Sequence, residues 1–112
     1  MKARTILIPS LPTTEGTLYT VPNNTRSKWI LAFVSNSAGQ TVNGITIKIH
    51  SGSDVIFLVG GQTIGSGDFL ELDHGNGYIM LNPTDHIVGV AGGTGVSCIL
   101  TFEEVPFIVS TN

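Results

Sequence analysis

Trp29-Ile30-Leu31-Ala32-Phe33-Val34 sets six apolar residues in a row, and Ile45-Thr46-Ile47-Lys48-Ile49-His50 follows it with apolar and polar residues in alternation. The first run is far short of the ~20 residues of a membrane-spanning helix. Its aromatic and β-branched residues suit a strand, and it predicts a strand with both faces apolar. The second run has the two-residue period of a half-buried strand. The polar segment Ser35–Gln40 between them predicts a turn. An antiparallel sheet needs only one covered face, so a strand apolar on both demands a second cover.

The rest of the chain has the same character. Val55–Val59 lies between Ser51-Gly52-Ser53 and Gly60-Gly61, and His86–Ala91 follows Pro83-Thr84-Asp85; both are apolar on both faces. Leu18–Val21, Phe69–Leu72, Tyr78–Leu81 and Val96–Glu103 bring the expected strands to eight. Their spacing of roughly ten residues, with turn residues between, is the pattern of a sandwich or barrel. Pro22-Asn23-Asn24 predicts a turn with a left-handed position. No stretch has helical periodicity, and no fixed repeat is present. The reading is one antiparallel all-β domain over residues 15–105, with an extended arm over 1–14 and a tail over 106–112. Pro9 and Pro12 keep the arm out of a central ladder position.

Composition agrees. A chain of 112 residues is the size of one domain, and 14 glycines with only 12% charged residues run against long helices. A net charge of −3 with five Lys and Arg supplies no basic stripe for phosphates, so neither nucleic acid nor an anionic membrane is an expected partner. The single cysteine, Cys98, sits in Val96-Ser97-Cys98-Ile99-Leu100 and reads as a small core residue. Pro9 and Pro12 cut the apolar run Ile6-Leu7-Ile8 below the length of a signal-peptide core, so the chain is expected to be made and kept in the cytosol of its producer.

Catalytic and metal patterns are weak. His50, His74, His86, Cys98 and the acidic residues Asp54, Asp68, Glu71, Asp73, Asp85, Glu103 and Glu104 form no His-x-His, His-Glu-x-x-His or paired-cysteine spacing. No Gly-x-Ser-x-Gly elbow occurs. The glycine clusters at 60–61, 65–67 and 92–95 lack the Lys-Ser or Lys-Thr of a phosphate loop and read as hairpin turns. The expectation is a non-enzymatic protein with no catalytic residues, no metal and no cofactor.

Four motifs, Leu18-Tyr19-Thr20-Val21-Pro22, Trp29–Asn36, Gly67-Asp68-Phe69-Leu70-Glu71-Leu72 and Leu81-Asn82-Pro83-Thr84-Asp85-His86-Ile87, occur in an order that resembles the small β-sandwich virion proteins of tailed bacteriophages. That group includes capsid decoration or cement proteins and related tail proteins, and the resemblance runs from about Glu15 to Glu104. It departs at Pro83-Thr84-Asp85, where the family turn carries Gly-Asp, so the turn type stays open.

The resemblance implies a jelly roll of eight strands in two sheets. It also implies a place on the capsid surface of a virion made in the host cytoplasm, with the major capsid protein and further copies of itself, as dimer or trimer, for partners. The implied function is to bind the outer head and bridge coat subunits. The alternative is a tail-associated module recognising host carbohydrate, with Tyr19, Tyr78 or Trp29 as a stacking platform.

In jelly-roll order counted from Leu18, the strands at Trp29–Val34, Val55–Val59, Phe69–Leu72 and Ile87–Ala91 share one sheet. If Trp29, Leu31, Phe33, Val55, Phe57, Val59, Leu70, Leu72, Val88 and Val90 point inward, then Ile30, Ala32, Val34, Ile56, Leu58, Phe69, Ile87 and Ala91 face outward as an interface. The apolar side chains Ile6, Leu7, Ile8 and Leu11 of the arm, and Phe107, Ile108 and Val109 of the tail, are expected to dock, at least one arm onto a neighbouring subunit.

Overall fold

A computed structural model describes residues 2–73 and 77–107 of the chain. Its elements are all strands: β1 (Lys2–Ile8), β2 (Gly16–Thr20), β3 (Thr25–Asn36), β4 (Val42–Ser51), β5 (Asp54–Ile64), β6 (Phe69–Asp73), β7 (Ile79–Leu81), β8 (His86–Val90) and β9 (Val96–Pro106). They form two antiparallel sheets. One runs β1-β9-β3-β6, with β7 also paired to β3; the other runs β2-β8-β4-β5.

The inner faces of both sheets feed one apolar core. Trp29, Ala32, Val34, Cys98, Leu100 and Phe102 enter it from the first sheet, and Tyr19, Ile45, Ile47, Ile49, Val59 and Ile87 from the second. The arrangement is therefore all-β and sandwich-like. Strict alternation in β4 makes the contribution of that strand simple: Ile45, Ile47 and Ile49 are buried, while Thr46, Lys48 and His50 lie on the other face. Turn chemistry closes the ends. Asn24 has φ +59 after Pro22-Asn23, at the left-handed position that segment predicts. Asn82–Asp85 is a type II turn, in which the Asp85 N–H donates to Asn82 O at 3.1 Å and Thr84 takes φ +70.

Three expectations are overturned. The described strands number nine, not eight. The additional strand is the supposed arm: β1 pairs with β9 from Lys2↔Glu104 to Ile8↔Cys98. Pro9 and Pro12 do not prevent this, because both lie beyond its last residue and β1 sits at a sheet edge. Counting from Leu18 therefore begins one strand late and deals the strands to the wrong sheets. Trp29–Val34 and Phe69–Leu72 share a sheet, but Val55–Val59 and Ile87–Ala91 belong to the other.

The faces of β3 also reverse partway along. Trp29 pairs with Phe102 and Leu31 with Thr101, so Ile30 is the extra residue of a β-bulge. Trp29 points inward before the bulge; after it Ala32 and Val34 do, and Leu31 and Phe33 turn to the outer face. Ala32, Val34, Ile87 and Ala91, expected on an outward interface, are completely buried in the core.

Candidate functional site

The β4–β5 hairpin carries an exposed apolar run. Gly52 at φ +60 takes the first central position of its two-residue turn, between Ser51 and its partner Asp54, as a type II′ turn requires. Beyond the turn, β5 slips against β4, pairing Ile47 with Val59 but Lys48 with Phe57. The slip keeps Val59 in the core and releases the residues nearer the turn. Val55, Ile56 and Phe57 are consecutive and 46%, 54% and 60% exposed. Lys48 holds its ammonium 5.0 Å from the Phe57 ring centroid and pairs with Glu15 at 2.7 Å. Among the described residues β5 has no strand partner on its other side. Its free backbone groups and the apolar run form one edge, without the Lys or Pro that commonly blunts such an edge.

A second apolar row crosses the outer face of the other sheet. Leu7, Ile99 and Phe33 are register partners on β1, β9 and β3. Phe69 of β6 stacks on Phe33, with ring centroids 5.1 Å apart and planes at 19°. Among the described residues Leu7 and Phe69 are the most exposed large apolar side chains, at 69% and 62%.

Of the outward set expected from sequence, Ile56 and Phe69 are exposed, Ile30 and Leu58 half-buried, and Ala32, Val34, Ile87 and Ala91 buried. Of the docking arms, Ile6 and Ile8 pack on the chain's own core, and Leu11 is buried within it. Leu7 joins the outer row. Phe107 lies under the Arg26 guanidinium at 3.9 Å, and its N–H donates to Asn24 O. Ile6, Ile8, Leu11 and Phe107 thus contact their own chain, while Leu7 stays exposed; Ile108 and Val109 lie outside the described residues. Val55, Phe57 and Phe33, expected inward, are instead parts of the exposed surface. Their displacement follows from register slips and a bulge, for which the sequence carries no period signal.

The polar groups are mostly spent on structure. At one end of the core the Tyr19 hydroxyl donates to Glu104 at 2.7 Å and shares a hydrogen bond with Ser27; Arg4 donates to the same Glu104 oxygen at 3.2 Å. Burial above all pushes the Tyr19 phenol from 10.0 up to about 12; the Ser27 hydrogen bond works against this and the Glu104 carboxylate reinforces it. Burial likewise pushes the Cys98 thiol up to about 12, so it is a core side chain rather than a nucleophile. His50 stacks on His86 with centroids 5.5 Å apart, and its Nε2 lies 3.8 Å from Glu15 Oε1. Among the described residues no three His, Cys, Asp or Glu side chains converge as a metal site; His74 lies outside them. Trp29 and Tyr19 are buried and offer no stacking platform, whereas Tyr78 is half exposed.

No family model matches this chain, and no curated protein matches it either.

Proposed function

We propose that the chain is a structural assembly protein, a decoration or cement protein of a tailed-phage head that binds coat subunits on the outside of the shell and bridges them. The observation that carries this reading is the edge of β5, where Val55-Ile56-Phe57 stands exposed beside unpaired backbone. Such an edge gains from burial at roughly 25 cal/mol per Å² and from pairing with a partner strand. Each contact is weak, but many copies on one shell add their contributions, because a bridge once tethered at one end binds at high effective concentration.

Strand order supports the same reading. If β1 counts as the first strand, and β6 and β7, which both pair with β3, as one interrupted strand, the sheets become 1-8-3-6 and 2-7-4-5. That is the order of a jelly roll of two four-stranded sheets, the fold of the virion proteins that the sequence motifs resemble.

The test is binding of the purified chain to expanded heads that lack decoration, with the heat stability of the heads measured alongside. Saturable binding that raises head stability, and that Ile56→Asp and Phe57→Asp abolish, is the expected result. Heads that neither bind the chain nor gain stability would overturn the proposal.

A further inference from the structure

The ladder between β4 and β8 ends on two histidines. His50 and His86 are register partners, and the pair before them, Ile49 and Ile87, is buried in the core. Alternation therefore puts both imidazoles on the outer face of the sheet. Their backbone is fixed from just beyond the ladder. The Ser51 hydroxyl donates to the Asp85 carboxylate at 2.8 Å, and the same carboxylate accepts from the Asn82 N–H at 2.9 Å, closing the turn that leads into β8. Directly opposite residues of an antiparallel pair hold their Cβ atoms about 4.5–5.5 Å apart. Here the two rings stack with centroids 5.5 Å apart and planes at 28°.

The ring nitrogens are placed for ligation. His86 Nδ1 lies 3.2 Å from Thr84 O. A carbonyl only accepts, so this contact puts the proton of the neutral ring on Nδ1 and leaves the lone pair on Nε2. A backbone carbonyl in this position is the usual outer partner of a metal-binding histidine. His50 Nε2 is buried and has no hydrogen-bond partner among the described residues. Glu15 Oε1, at 3.8 Å, is beyond hydrogen-bond reach of it, and Glu15 Oε2 pairs with Lys48 at 2.7 Å. A dication would supply the partner that His50 lacks. Imidazole suits Zn²⁺, Cu²⁺ and Ni²⁺, whereas Ca²⁺ and Mg²⁺ require sets of oxygen ligands. No third His, Cys, Asp or Glu converges on the pair among the described residues, so water fills the other positions. Ligation draws both nitrogens to about 2.0–2.1 Å from one ion, which loosens the stack of the rings.

We propose that His50 and His86 form a two-histidine site for a divalent transition-metal ion, with His86 binding through Nε2. The site lies on the ladder between β4 and β8, away from the free edge of β5, and does not depend on the assembly reading.

Titration of the full ¹⁵N-labelled chain, free of any added histidine tag, with zinc chloride and separately with calcium chloride tests it. Zinc should bind saturably, one ion per chain and in the micromolar range, and shift the ring resonances of His50 and His86; calcium should shift neither. Saturating zinc should also raise the melting temperature, because the ion binds the folded chain. His50→Gln and His86→Gln should each weaken zinc binding about tenfold or more while the metal-free melting transition stays in place, and His74→Gln should leave binding unchanged. Ring resonances of the native chain that do not respond to zinc, or zinc binding indifferent to both His50→Gln and His86→Gln, would overturn the proposal.

Discussion

The Tyr19 hydroxyl donates to Glu104 Oε2 at 2.7 Å, tying β2 of one sheet to β9 of the other through a carboxylate that is almost fully buried. Tyr19→Phe removes this donor and leaves Glu104 to Arg4 alone, for an expected loss of about 1–3 kcal/mol in urea unfolding at neutral pH. The same pair fixes an alkaline signature. Because the folded phenol titrates at about 12 rather than 10.0, the unfolded chain gives up its proton first. The stabilisation is complete below pH 10 and is lost as pH rises from 10 to 12, by roughly 2–3 kcal/mol. Tyr19→Phe lacks that component, so the stability gap between the two proteins should narrow across this range. A gap that stays constant from pH 9 to 12 would contradict the assignment.

Two register partners of Ile49, one at the centre of the sheet and one on its edge strand, make opposite demands on a charge. Ile87 is fully buried between the sheets, and Ile56 is 54% exposed. Ile87→Asp puts an unpaired carboxylate into the core and should remove about 4 kcal/mol or more, enough to unfold much of a domain of ordinary stability. Ile56→Asp should change unfolding free energy by under about 1 kcal/mol while disrupting assembly. Denaturant unfolding of the two variants side by side checks this.

These two residues also mark what the sequence makes legible. Period-two alternation in Ile45–His50 and glycine-rich turns are local signals, and from them the all-β class follows directly. Ile87 and Ile56 look alike in sequence, since each sits in an apolar run with no polar residue to fix its phase. Which one is buried is decided by strand order, since both pair with Ile49 but β8 is a central strand and β5 an edge; the bulge at Ile30, the slip between Ile47 and Lys48, and the capture of β1 by β9 are likewise long-range events. The Asn36–Asp68 connection is hidden for the same reason, because 32 residues separate the two ends of a backbone hydrogen bond. The exposed Phe69 that follows Asp68 is, by contrast, expected outward from sequence and found so.

Thr84 offers a test of stored strain. Its φ of +70 is unfavourable for a β-branched residue, and the turn imposes it through four bonds. The Thr84 N–H donates to Val21 O at 3.0 Å, and the Val21 N–H to Asp85 O at 2.9 Å. The Asp85 carboxylate accepts from the Asn82 N–H at 2.9 Å and from the Ser51 hydroxyl at 2.8 Å. Glycine relieves about 1–2 kcal/mol of left-handed strain and gives back about 0.5–1 kcal/mol in backbone entropy. Thr84→Gly should therefore raise stability by about 0.5–1 kcal/mol and Tm by a few degrees. A lowered Tm would show that the hydroxyl or methyl of Thr84 contributes more than the strain takes away.

Leu11 separates a strand that packs on its own domain from an arm lent to a neighbour. It follows β1, is 1% exposed, and its N–H donates to Val96 O at 2.7 Å. Leu11→Ala empties a core site and should destabilise the chain by about 2–5 kcal/mol. Since the contact is within one chain, the unfolding midpoint of both proteins should be the same across a hundredfold range of protein concentration. If β1 and Leu11 were exchanged between copies, unfolding would be coupled to dissociation and the midpoint would rise with concentration. A midpoint that climbs with concentration for the native chain, but less for Leu11→Ala, would therefore replace the intrachain edge strand with a swapped one.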